Sequence, residues 1–410
     1  MRKLLQGLLA ATAALAVGHP AAADTVTDWW EFAGKVSPLY GPGTPEQKRA
    51  VSRASLAMFE AVNAIDRRYE SYLDLPAADP SASQDAAIAT AAYKVLLHHH
   101  PEKKTLLDES YAIALSAIPE SPARDAGRLV GEQAAAAAIM AGAMDPAFQP
   151  TPWQPRTSPG VWVPTTSPGI DSTTWAFRPW AIPSAEALRA PPPPALTSAE
   201  WARDYEEVRR LGAKASTERT PHQTLMARFR EGPDLTPMIR AVAEGAERTP
   251  VRNARMLMLY QLAMDDAVMV MSESKSHYNF WRPITAIRNG EEDGNPATPA
   301  EAGWTPLLST PNFAEYPCGH CTFAAAVAEV MKAETGPAPS GGVRVASLSI
   351  PNAVVQVLPS WDQWVTEVSA SRTYGGVHYR FANEAGERIG RTAAGFVLNR
   401  VARPLPRRSR

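Results

Sequence analysis

The chain has 410 residues, 45% of them hydrophobic and 20% charged, with 41 lysines and arginines against 42 acids and a formal net charge of -1. That length allows one large domain or two ordinary ones around a sizeable core. The near-neutral balance excludes a global field for nucleic acid or an anionic membrane, and two cysteines, Cys318 and Cys321, are too few to staple a fold of this size.

Arg2 and Lys3 precede an apolar run from Leu4 to Val17, and Ala21-Ala22-Ala23 ahead of Asp24 has the character of a cleavage site. Residues 1–23 are therefore expected to be a secretory signal peptide, and the protein to be periplasmic or secreted. The run is too short to cross a hydrocarbon core of about 30 Å, and no later stretch is long and apolar enough to do so.

Helical signals dominate from residue 44 onward. Thr44-Pro45-Glu46-Gln47 reads as a capping box with proline at the first helical position, and Val51, Ala54, Met58, Val62 and Ile65 recur behind it at helical spacing. Ala86 to His99 predicts a second helix, Lys103 to Glu109 opens a third, and Ser121-Pro122 starts an alanine-rich helix through Met144. From Gln149 to Pro194 the composition turns to Pro, Thr, Ser and Trp. Proline denies both helix and central strand, so this is a long irregular segment, packed over the helices by Trp153, Trp162, Trp175 and Trp180. Helix resumes at Thr197-Ser198-Ala199-Glu200, a second capping box. Asn253 to Met271 is a strongly apolar helix that delivers Lys275 at or just past its end. Further helices are expected over Cys321 to Glu334, beginning at His320, and over Glu384 to Val401.

The expected fold is all-α, with no strand–helix alternation and no internal repeat. Residues 24–195 form an N-terminal helical region with its proline-rich segment. Residues 196–402 form a catalytic helical region packed with it as one compact unit, and 403–410 form a basic, solvated tail.

Three short blocks in the last third carry the chemistry. They are Lys275-x6-Arg282-Pro283, Pro317-Cys318-Gly319-His320, and Ser371-Arg372-x5-His378. Lysine's point charge and arginine's planar fork are the usual holders of phosphate-like oxygens. A glycine at a helix start lets backbone N–H groups approach an anion closely. Two histidines supply one group to bond the central atom and one to move a proton near neutral pH. Taken singly each block is weak, since a lone Lys or His is more often a solvated or satisfied structural residue. In order, the three suit a tetrahedral oxyanion. Cys318-Gly319-His320-Cys321 also has the C-x-x-C form of thiol–disulfide oxidoreductases, but no βαβ pattern surrounds it.

The order and spacing of the blocks resemble the superfamily joining vanadium-dependent haloperoxidases and type 2 phosphatidic acid phosphatases. Asn312 to His320, with Phe280-Trp281-Arg282-Pro283 and Gly376 to Phe381, is most similar to its bacterial haloperoxidase-like branch. The resemblance implies that His378 bonds vanadium, or attacks phosphorus in a phosphatase, and that His320 is the acid–base group on the opposite side. It implies that Lys275, Arg282, Arg372, Cys318 and the Gly319 N–H bind the oxyanion oxygens, that Lys275 also polarises peroxide, and that Phe313 lies on the halide side. The implied cofactor is vanadate, for which phosphate competes, with no haem or nucleotide. The implied substrates are hydrogen peroxide and halide, or a phosphate ester; a homo-oligomer is left open. Alternatives are an exported phosphatase with a phosphohistidine intermediate and a catalytically impaired oxyanion-binding protein.

Two positions depart from the family pattern. Cys318 stands in place of the serine whose hydroxyl donates to the oxyanion; a thiol donates weakly and a disulfide not at all. Pairing of Cys318 with Cys321 is expected to protect a thiol from hypohalite or to switch oxyanion affinity. Ala382 stands in place of the aspartate that orients the histidine, a role for which Asn383, Glu384, Asp265 and Asp266 are the candidates.

Overall fold

The computed structural model describes residues 24–38, 45–143, 145, 156–165, 177–350, 352 and 354–406. Residues 1–23, Thr44, Met144, Trp153, Trp175 and residues 407–410 of the basic tail lie outside the described residues, so the signal-peptide expectation and parts of several others do too.

The N-terminal region contains α1 (Thr25–Val36), α2 (Pro45–Lys48), α3 (Ala50–Ile65), α4 (Gln84–His99), α5 (Lys104–Ser116) and α6 (Pro122–Gly142). Every residue of α3 is buried, including Arg53 and Glu60, so it is the axis of this half rather than an amphipathic surface helix. Side-chain oxygens of Ser83 and Ser121 accept from the first-turn N–H groups of α4 and α6; the α6 start is the expected one, while α4 begins at Gln84, two residues before the expected Ala86.

The second region contains α7 (Ala199–Gly212), α8 (Pro221–Phe229), α9 (Thr236–Ala243), α10 (Pro250–Tyr278), α11 (Pro283–Arg288), α12 (Gly319–Thr335), α13 (Trp361–Tyr374) and α14 (Arg380–Arg400). The cap of α7 is Ser198, one residue later than the expected box: its hydroxyl accepts from Trp201 N–H. The chain is mostly helical, as expected, and carries one small sheet that the sequence reading did not anticipate. β1 (Pro233–Asp234), β2 (Val343–Ser347) and β3 (Gln356–Leu358) pair antiparallel in that order, with Pro233 opposite Ser347 and Val343 opposite Leu358. Val343 and Val345 are buried and Arg344 is exposed, a period-two pattern too short to stand out. No described helix is long and apolar enough to cross a membrane.

One hydrophobic core runs through both regions, joining α1, α3, α4 and α6 to α10, α12, α13 and α14 through residues such as Phe59, Leu257 and Trp364. A second cluster, built on Trp201, Trp281, Tyr379 and Phe381, takes in residues flanking the three blocks. Trp201 stacks on Trp281 at 5.9 Å and contacts Tyr379 at 5.0 Å.

The described part of the proline-rich segment packs as expected. Trp162 N–H donates to Asn279 O at 2.8 Å and Trp281 N–H to Gly160 O at 3.0 Å, so the segment pairs with the stretch after α10. Further along, Asp266 of α10 accepts from the N–H groups of Trp180, Ala181 and Ile182 at 2.8, 2.8 and 3.1 Å. Replacing this carboxylate would strand three buried donors. Asp266→Ala is expected to lower stability by about 3 kcal/mol, read as a shift of the urea midpoint; an unchanged midpoint would show that the carboxylate is not what clamps the segment.

Candidate active site

Each block sits where a helix begins or ends. Helix α10 stops at Asn279, which adopts a left-handed conformation (φ 43°), leaving Lys275 on its last turn. Arg282 is then extended, as the residue before a proline prefers, and Pro283 opens α11. Cys318 caps α12, so the Gly319 and His320 N–H groups lie in a first turn that has no intrahelical acceptors. Arg372 lies in the last turn of α13. Gly376 (φ 75°) then reverses the chain, and a Cβ there would stand 2.5 Å from Gly212 O. His378 comes two residues later, just before α14. Gly386 of α14 lets that helix lie against the Cys318 turn, since a Cβ would meet Cys318 O at 2.4 Å.

The fold brings these residues into one buried cluster. Lys275, Arg372 and His378 are each 2% exposed, and Arg282 and Glu315 0%. Lys275 Nζ donates to Ala314 O (2.9 Å) and Glu315 O (2.6 Å). Arg282 Nε donates to Phe313 O (2.9 Å), and its Nη1 donates to Val377 O (2.9 Å) and to His378 Nε2 (3.2 Å). Arg282 Nη2 is buried with no hydrogen-bond partner. The Phe313 ring lies 4.9 Å from the Arg282 guanidinium and 5.5 Å from Lys275 Nζ, screening both cations on one side.

The electrostatics are those of a site short of negative charge. Burial, then the Arg282 charge, holds the Lys275 ammonium well below its usual range. Burial brings Arg282 down to about 9, so it stays protonated at neutral pH. Burial also lifts the Glu315 carboxyl to about 7, against the pull of Arg282 and Lys275. His378 is pushed down by burial and by Arg282, Lys275 and Arg372. Burial and Arg372 hold His320 down to about 3, so its ring is neutral. Its Nε2 lies 2.9 Å from Glu231 O. A carbonyl only accepts, so the ring proton sits on Nε2 and Nδ1 is the basic nitrogen.

Residues 255–406 match the family described as the VCPO second helical-bundle domain. The vanadium chloroperoxidase of Curvularia inaequalis is 29% identical over 184 residues, 36% of this chain and 30% of that protein, so the match spans under a third of the curated relative's length. A bacterial vanadium-dependent iodoperoxidase superposes with a TM-score of 0.74 over 94% of this chain and 98% of its own, at 21% identity. An apo bacterial vanadium-dependent chloroperoxidase does so with a TM-score of 0.66 over 88% and 94%, at 16% identity. At such identities the structural likeness speaks for the fold alone. Residues 255–406 are thus similar to the VCPO second helical-bundle domain, and the fold is similar to that of bacterial vanadium-dependent haloperoxidases.

Within this fold the two departures from the pattern that the sequence resembles have physical answers. Cys318 and Cys321 are joined in a disulfide. Cys318 Sγ therefore carries no hydrogen, and the Cys318 N–H already donates to Ala382 O at 3.0 Å. The oxyanion-donor role expected of Cys318 is thus corrected: no donor of that residue remains for it. The thiol–disulfide oxidoreductase form also lacks its setting, since no βαβ unit surrounds it among the described residues.

The candidates for the missing aspartate are likewise corrected. Asn383 is spent on Ser369 O and Thr373 Oγ1, Asp265 on Arg49 and Trp180 Nε1, and Asp266 on the 180–182 backbone, while Glu384 is exposed. The carboxylate on His378 is Glu315. Its Oε1 accepts from His378 Nδ1–H at 2.7 Å and from Tyr379 N–H at 3.2 Å. Holding the proton on Nδ1 makes Nε2 the acceptor nitrogen, the one that takes the Arg282 Nη1 bond. The only sequence signal was an acid set among Phe313, Ala314, Tyr316 and Pro317, where solvation is not the reason for its presence.

Glu315→Gln removes a negative charge near an anion site, which favours any anion, but weakens the hold on His378, which matters only to a species bonded to it. The ratio of vanadate to phosphate affinity, measured by calorimetry, is therefore expected to fall about 10- to 100-fold; an unaltered ratio would end the orienting role. In the anion-free protein the His320 ring proton resonances are expected to stay still from pH 8 to 5 and to begin moving only as the pH approaches the lowered value of about 3.

Proposed function

We propose that this chain is a vanadate-binding haloperoxidase-type enzyme that oxidises halide with hydrogen peroxide. The observation that supports it is the excess of positive charge around His378. Three buried cations, Lys275, Arg282 and Arg372, face one carboxylate, and that carboxylate is turned to the far nitrogen of the histidine. Burying charge without compensation is costly, and a bound dianion would supply the compensation. The orphaned Arg282 Nη2 offers a donor for one of its oxygens.

In this reading Lys275, Arg282, Arg372 and the Gly319 N–H hold the oxyanion oxygens, and His378 Nε2 bonds the metal. Bound vanadate supplies a Lewis acid that activates peroxide toward a halide nucleophile. His320, neutral with its proton on Nε2, takes a proton at Nδ1 and returns it. Lys275, with two of its hydrogens held by Ala314 O and Glu315 O, keeps a third for an oxygen of the bound group. Phe313 excludes water from the guanidinium face where a halide would approach. Export to the periplasm or medium fits the leader-like residues 1–23 and the Cys318–Cys321 bridge, since disulfides persist in oxidising compartments.

The test is peroxide-dependent bromination of a reporter by phosphate-stripped protein given vanadate, with His378→Ala as control. Turnover that needs vanadate and falls at least 100-fold in the variant is expected. Hydrolysis of an aryl phosphate that vanadate inhibits, without bromination, would move the protein to the phosphatases; neither activity would leave oxyanion binding alone.

A further inference from the structure

A cavity of about 210 Å³ has His320 on its wall but none of Lys275, Arg282, Arg372 and His378. Six helices line it: Trp30 comes from α1, Lys48 from α2, Val51 from α3, Tyr260 from α10, Phe323 from α12 and Trp364 from α13. Well-packed interiors leave few voids larger than a water molecule, so a space of this size between helix axes is not ordinary packing. Water gains little there, because the lining is predominantly apolar and offers few of the two to four partners a buried water needs.

We infer that this cavity is a binding subsite for an uncharged, planar organic molecule of one or two fused rings, held with one edge against the His320 ring. Size sets the scale: an enclosed apolar cavity of about 150 Å³ accommodates benzene, so this one, open past the exposed Gly34, has room for a bicyclic ring. The walls set the shape, since Trp30, Tyr260, Phe323 and Trp364 present aromatic surfaces that favour a flat ring by edge and face contacts. Lys48 and Asp265, the charged side chains on the wall, are opposite in sign. No net charge therefore selects an ion. The subsite's role, holding the organic acceptor next to the acid–base histidine, rests on the haloperoxidase reading; its occupancy does not.

Gly34 provides the test. It lies on the cavity wall in α1, and a Cβ built there meets nothing within 4 Å. Gly34 is exposed at the rim of the cavity, so a phenylalanine there has room to cover its mouth, and leaving glycine in a helix interior improves helix propensity. Calorimetric titration of the full chain with 1-naphthol, with and without vanadate, should show binding to wild type and to Gly34→Ala. Affinity should fall at least tenfold in Gly34→Phe, while vanadate affinity stays the same in all three. The charged 1-naphthoate should bind wild type at least tenfold more weakly than 1-naphthol. No binding of 1-naphthol to wild type, or equal binding to Gly34→Phe, overturns the subsite; equal binding of the two ligands overturns its preference for a neutral ring. Binding as described without peroxide-dependent halogenation would leave the subsite standing and remove the haloperoxidase reading instead.

Discussion

The constraint on which the rest depends is a concentration of buried positive charge with too little negative charge beside it. Lys275, Arg282 and Arg372 are withdrawn from water, and Glu315 is the acid among them. Desolvation lowers the ammonium and guanidinium alike, so the protein spends folding free energy to hold the cluster together. Such a cluster is tolerable where an anion offsets the cost on binding, which ties the stability of the site to its ligand.

Holding that charge requires a rigid frame, and the frame comes from helix ends rather than from loops alone. The last turns of α10 and α13 deliver Lys275 and Arg372, the first turn of α12 presents the Gly319 and His320 N–H groups, and Pro283 fixes Arg282 in an extended conformation. The irregular segment then laces these ends in place. Ala190 N–H donates to Ser274 Oγ, Tyr278 O–H donates to Ala190 O, and Tyr316 O–H donates to Pro191 O. A segment without regular structure thereby orders both the lysine block and the turn leading to His320.

The two altered positions illustrate how a site can change its parts while keeping its physics. The histidine needs an acceptor for Nδ1–H to present Nε2 as a lone pair, and Glu315, from the turn before α12, supplies it. With Glu315 on one side of the ring, a small residue suffices at 382, where the backbone carbonyl holds Cys318 N–H instead. The disulfide forgoes a side-chain donor to the oxyanion. It also leaves no thiol beside a site proposed to generate an oxidant.

Residue type, spacing and punctuation made much of this legible. Ser121-Pro122 marked the start of α6, the glycine turn marked the entry to α12, and the three blocks named Lys275, Arg282, His320, Arg372 and His378, because helix ends and charge patterns are written locally. The small sheet escaped, since three short strands carry little periodicity. So did Glu315, because its partner is 63 residues away and its meaning comes from contact. The apolar cavity escaped for the same reason: Trp30 and Trp364 are unremarkable core residues until the helices that carry them meet. What the sequence determined was the chemistry available and where the chain turns. What only the tertiary structure decided was which carboxylate reaches the histidine, which donors are already spent and where space remains, because those depend on packing between segments far apart in the chain.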